Sequence, residues 1–104
     1  MSAYLIVDIE VKDAAGYEEY KRMAAESIRA FGGRYLVRGG AAEVLEGDWE
    51  PGRLVILEFP GVERARAWWS SEEYRKAREI RLRTAGCRMV LVEGLQEAGG
   101  KHRG

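Results

Sequence analysis

The chain has 104 residues, enough for one domain that builds its own core without metal or disulfide staples. Hydrophobic residues at 46% and aromatics at 10% exclude a chain disordered by composition. Lys plus Arg equals Asp plus Glu at 17 each, which argues against a general binder of nucleic acid or of an anionic membrane, since both require a basic excess.

Residues 3–11 alternate as a strand. Ala3, Leu5, Val7, Ile9 and Val11 make one wholly apolar face, and Tyr4, Ile6, Asp8 and Glu10 make a mixed one. Met1-Ser2-Ala3-Tyr4 enters that strand directly with no basic segment, so no signal peptide is expected. Asp13 reads as a helix N-cap. The helix behind it carries Tyr17, Tyr20, Ala24, Ile28 and Phe31 on one face and stops at Gly32-Gly33. A second strand spans 34–38, with a resumption expected over Glu43-Val44-Leu45-Glu46 after the Gly39-Gly40 break. Residues 47–52 read as a turn, and 53–59 as a third strand with Val55, Leu57 and Phe59 on one face. A short helix over 62–69 restarts at Ser70-Ser71-Glu72-Glu73, where Ser70 and Glu73 have capping-box spacing. The restarted helix places Tyr74, Ala77, Arg78, Arg81 and Leu82 on one side and ends at Gly86. A fourth strand is expected over 88–92 and a loose tail over 96–104.

The order β-α-β-β-α-β, with its second helix broken, is the ferredoxin-like arrangement: one α+β domain over 1–95, with a four-stranded antiparallel sheet and helices on one face. The apolar parities of strands one and three belong under the helices. The other sheet face then exposes Ile6, Leu54 and Ile56, and a second copy packed sheet to sheet would cover them as a homodimer. No apolar run is long enough to span a bilayer. With a single cysteine, Cys87, expected as a buried or half-buried structural thiol, a cytoplasmic location is expected.

Four segments carry a family resemblance. They are Tyr4-Leu5-Ile6-Val7, Gly33 through Gly40, Trp49-Glu50-Pro51-Gly52-Arg53 with the strand to Pro60, and Trp68-Trp69-Ser70-Ser71-Glu72-Glu73-Tyr74. The chain resembles the domain-of-unknown-function family 1330 of the dimeric α+β-barrel superfamily over roughly residues 3–95. The resemblance implies a homodimer whose two sheets form a barrel, and no settled activity. Other branches of that superfamily include small monooxygenases, lactone isomerases, haem enzymes and sensor modules, and fold kinship carries none of those chemistries over.

His102, the only histidine, falls in the tail, so histidine catalysis and haem ligation by histidine are not expected. No metal-ligand spacing or phosphate loop is present, and no cofactor is expected. Asp8, mid-strand between apolar neighbours, is the candidate catalytic residue: a base with a raised pKa if desolvated, or else the partner of an arginine across the sheet. Arg38 and Arg53 flank the long turn and suit bidentate capture of an acid group, beside Gly39; the alternative is internal pairing with Glu46, Glu58 or Asp8. Trp49 is read as a pocket wall or a cover for the core edge, and Tyr74 as an apolar wall. Of Trp68 and Trp69, adjacent on a helix and so about 100° apart, one belongs in the core. Tyr74, Arg78 and Arg81 read as a cationic or simply solvated face. Two functions follow: a homodimer binding a small anionic or aromatic molecule, with cofactor-free proton transfer or oxygenation as its enzymatic form, or a non-catalytic dimeric interaction module.

Overall fold

The computed structural model describes residues 1–95; the expected tail and His102 lie outside them. The elements are β1 (Ala3–Val11), α1 (Ala14–Ala30), β2 (Arg34–Arg38), β3 (Arg53–Phe59), α2 (Val62–Trp69), α3 (Glu72–Thr84) and β4 (Ala85–Glu93). The strands form one antiparallel sheet in the order β2-β3-β1-β4. β1, whose inward parity is apolar through Ile9, takes an interior position. Its Leu5, Val7 and Ile9 join Val55, Leu57 and Phe59 of β3 beneath the helices. Val11, expected on that face, is exposed at the strand end.

Local chemistry sets the helix limits. The Asp13 carboxylate accepts the Gly16 N–H at 3.2 Å, satisfying a donor that the first turn leaves free. At the other end of α1 the Gly33 N–H reaches the Ile28 carbonyl at 2.9 Å and the Gly32 N–H the Arg29 carbonyl at 3.0 Å. This paired closure requires Gly32 at φ 81°. The break between α2 and α3 is capped by Ser71, not by Ser70. Ser71 Oγ accepts the Tyr74 N–H at 3.1 Å, while Ser70 Oγ donates back to the Arg66 carbonyl at 2.9 Å.

Helix α3 passes into β4 at Ala85 with no intervening loop, so Gly86 lies inside the strand and does not stop the helix. The Thr84 carbonyl explains the early stop. It accepts the N–H groups of both Lys12 and Asp13, at 2.8 and 3.0 Å, which ties the end of α3 to the end of β1. Residues 43–46 are not a strand. Val44 and Leu45 are exposed in the irregular stretch between β2 and β3. Both edges of β3 are already occupied, by β2 and β1.

The core centres on Trp68, which is 1% exposed. Its ring lies 4.1 Å from that of Tyr74 and 5.5 Å from that of Phe59, centroid to centroid. Its Nε1–H donates to Ser27 Oγ at 2.9 Å, and Ser27 Oγ donates to the Ala24 carbonyl. Trp69 next to it is 47% exposed, the division that adjacent helical positions impose.

One irregularity matters for the site. Tyr35 pairs with Leu57, but Val37 pairs with Ile56, so Leu36 is an extra residue in β2. This bulge inverts the alternation. Arg34 lies opposite Glu58 on the open face of the sheet, whereas Arg38, four residues on, lies opposite Val55 on the helix side. A regular strand would put both arginines on the same face.

Candidate functional site

The two faces of the sheet treat charge differently. On the open face, cross-strand pairing aligns Val37, Ile56, Ile6 and Val90 into an apolar row that crosses all four strands. Ion pairs flank this row on both sides. Arg34 Nε reaches Glu58 at 2.7 Å, with Tyr4 also donating to Glu58, and Arg88 reaches Asp8 at 3.3 Å.

Asp8 is an acceptor hub. Its Oδ1 accepts the Gly52 N–H at 2.9 Å, and its Oδ2 accepts Trp49 Nε1–H at 3.0 Å together with Arg88. Gly52 is required because the loop passes so close to β1 that a Cβ there would sit 2.6 Å from the Ile9 carbonyl oxygen. The Trp49 hydrogen bond first, then Gly52, and to a smaller degree Arg88 hold the carboxyl below its ordinary pKa despite the opposing effect of burial. This is the reverse of the raised pKa expected for a catalytic base. Asp8 fastens the 39–52 loop to the open face, and Trp49 lies over that face, away from the core edge.

This gives a pH prediction with a definite sign. The folded carboxyl has the lower pKa, so the unfolded chain takes up more protons in acid. The latch is fully present above the ordinary aspartate value of about 3.9 and is lost as pH falls through the folded value. At neutral pH, Asp8→Ala is expected to speed exchange of the Gly52 amide by about tenfold or more. Hydrogen–deuterium exchange reads this directly, and unchanged Gly52 protection contradicts the latch.

On the helix side, Arg38 and Arg53 have no carboxylate partner among the described residues. Arg38 stacks on the Tyr35 ring at 4.3 Å, and Arg53 lies 5.9 Å from the Tyr17 ring centroid. Gly39, at φ 76°, covers the Arg53 guanidinium so closely that a Cβ would fall 2.2 Å from Nη1. The gap these arginines border holds only about 20 Å³, room for one water.

A larger space opens at the break between α2 and α3, over β4. It measures about 600 Å³ and is lined by Leu5, Trp69, Arg81, Cys87, Met89 and Leu91, among others. Arg81 is only 9% exposed and makes no ion pair among the described residues. Its Nη1 donates to the Tyr74 hydroxyl at 2.7 Å, and its buried Nε has no partner. The Tyr74 and Tyr20 hydroxyls are 3.0 Å apart. Burial pushes both phenols up in pKa, Tyr20 further, so both remain protonated at neutral pH. Burial works against the Arg81 charge, but at the alkaline pH where a guanidinium titrates the ionised Tyr74, Cys87 and Tyr20 outweigh it and hold its pKa above the ordinary value. Burial also raises the pKa of the half-buried Cys87 thiol.

The expected residues therefore do not share one pocket. Asp8 and Trp49 lie on the open face. Arg38, Gly39 and Arg53 lie on the helix side near the β2–β3 edge. Tyr74 is fully buried behind Arg81. Arg81, read from the sequence as part of a cationic or solvated face, is instead a buried residue that lines this space together with the exposed Arg66. The available signal was the spacing of Tyr74, Ala77, Arg81 and Thr84, which form the buried stripe of α3 and include one arginine; Leu82 instead points outward. Among the described residues no group of three His, Cys, Asp or Glu side chains converges to hold a metal. No helix there is long and apolar enough to cross a membrane.

A four-stranded antiparallel sheet with its helices on one face and this strand order defines a ferredoxin-like α+β protein. The chain belongs to the family described as "Domain of unknown function (DUF1330)", whose model matches residues 2–95. No curated protein matches it significantly. Among solved structures it is similar to the RPA0582 protein of unknown function from Rhodopseudomonas palustris, at 18% identity and TM-score 0.75, over 91% of this chain and 83% of that one. It is similar to a variant of SnoaB, a cofactor-independent oxygenase from Streptomyces nogalater, at 14% identity and TM-score 0.66, over 94% and 97%. It is also similar to a dimeric ferredoxin-like protein of unknown function from Thermobifida fusca, at 14% identity and TM-score 0.61, over 90% and 92%. At these identities the likeness is one of fold.

Proposed function

We propose that the protein is a homodimer, joined through the open sheet faces, that binds a small anionic aromatic molecule on the helix side of each sheet. The observation that carries this reading is the asymmetry of charge between the faces. Open-face Asp8 and Glu58 are each paired with an arginine, as a surface meant to be covered requires. The helix side keeps Arg38, Arg53 and Arg81 without carboxylate partners among the described residues, beside aromatic rings. That favours ligand binding over a purely structural module, in which internal partners would be expected. The dimeric Thermobifida fusca protein of the same fold supports the assembly. The single, half-buried thiol suits a reducing compartment such as the cytoplasm.

The same arrangement suits a cofactor-independent oxygenase of the kind SnoaB is described to be, or a proton-transfer enzyme. A preorganised guanidinium stabilises the substrate anion with which either chemistry starts. Binding is tested by titrating the protein with 1-naphthoate and with its neutral isostere 1-naphthamide. The acid is expected to bind about tenfold or more tightly, the preference a charge-assisted contact confers. Equal affinities contradict the reading.

A further inference from the structure

We infer that the cavity at the α2–α3 break is the binding site proper, that Arg81 holds the ligand's carboxylate there, and that the ligand is a flat apolar acid. This rests on the reading that the helix side of the sheet takes an anion, and it names the place and the chemistry. Four arginines compete for the role, and of these Arg66 lines the cavity but is exposed. Arg38 is exposed, Arg53 is half-buried beneath Gly39, and the space beside them holds about 20 Å³. Arg81 alone combines burial beyond nine-tenths with a neighbouring space of about 600 Å³, within the range of small-molecule pockets.

A buried cation with no counter-ion is costly, and an apolar side chain of similar volume would pack the α3 stripe more cheaply. Among the described residues the Arg81 guanidinium hydrogen-bonds to the Tyr74 phenol, which burial keeps protonated and uncharged at neutral pH. The Tyr74–Tyr20 pair holds one end of the guanidinium fork in place. What the site lacks is an anion, and none of the residues lining the cavity is acidic.

The rest of the lining specifies the remainder of the ligand. Leu5 and Leu91 are aliphatic, Met89 and Cys87 present polarisable sulfur, Trp69 presents an indole, and the exposed Arg66 and Ser70 are the remaining polar members. Sulfur and indole surfaces pack well against the face or edge of an aromatic ring. A flat acid with one carboxylate at Arg81 satisfies both the charge and the surface.

The test uses 1-naphthoate and 1-naphthamide with wild type, Arg81→Met, and the double variant Arg38→Met/Arg53→Met. Methionine keeps most of the arginine stem and removes the charge. The preference for the acid is expected to fall by about tenfold or more in Arg81→Met and to persist in the double variant. An unchanged preference in Arg81→Met overturns the assignment. Loss in the double variant alone overturns it too, while leaving the helix-side reading standing. No preference in wild type overturns both.

A second measurement does not depend on how Arg81→Met folds. Cys87, the only cysteine of the chain, lines the cavity, so its alkylation by N-ethylmaleimide can be followed by mass. Naphthoate is expected to protect Cys87 in wild type at a concentration about tenfold or more lower than naphthamide requires. An unprotected Cys87 at saturating naphthoate overturns the cavity assignment.

Discussion

Replacing Ile6 with lysine is expected to turn the proposed dimer into monomers while leaving each protomer folded. Ile6 occupies the middle of the apolar row on the open face, between Ile56 and Val90. In the isolated protomer it is 37% exposed, so lysine there can reach water and the fold loses little. In the dimer the ammonium would be buried without a partner, because Asp8 and Glu58 are already engaged. A hot-spot change of this kind costs about 2–4 kcal/mol, and a two-fold interface suffers it twice. The dimer dissociation constant is expected to rise by a factor of about 10³ or more. Sedimentation velocity over a concentration series measures it. A variant that remains dimeric at the lowest concentration contradicts sheet-to-sheet assembly.

Trp68→Ala is expected to be the most damaging single substitution in the core, and Trp69→Ala beside it nearly harmless to stability. Trp68 is 1% exposed, and its indole packs on both Tyr74 and Phe59. Truncation leaves a cavity among rigid rings and removes the indole N–H that donates to Ser27 Oγ. Losses for such changes run to about 3–5 kcal/mol, a large part of the roughly 5–15 kcal/mol that a domain has in total. Trp69 stacks beneath Arg78 at the cavity rim, and its removal is expected to cost about 1 kcal/mol or less. Chemical denaturation at fixed protein concentration compares the two, since any dimerisation adds to apparent stability. Equal losses would contradict the division of roles between the tryptophans.

Most of the architecture was legible because alternation and helical spacing record burial directly. Leu5, Val7 and Ile9 face the helices and Ile6 does not, as the parity of β1 requires. The Gly32-Gly33 stop and the Asp13 cap follow from backbone chemistry that only a few residue types supply. The site was less legible, for identifiable reasons. The bulge at Leu36 reverses the side on which Arg38 emerges, and nothing in Tyr35-Leu36-Val37 marks the extra residue. Asp8 stands out as a carboxylate mid-strand, but its partners Trp49 and Gly52 come from a loop more than 40 positions away, and with Arg88 they lower its pKa. Arg81 sits in the same helical stripe as Tyr74. Whether an arginine on such a stripe is solvated or buried depends on how α1 and β4 close over it, which local spacing does not encode.

The division of labour between the two sheet faces is tested most directly by native mass spectrometry of the untagged protein titrated with 1-naphthoate. The expected result is a dimer that takes up two naphthoates, one for each helix-side cavity, at concentrations about tenfold or more lower than the amide requires. A monomer, or a dimer that takes up acid and amide alike, would contradict it.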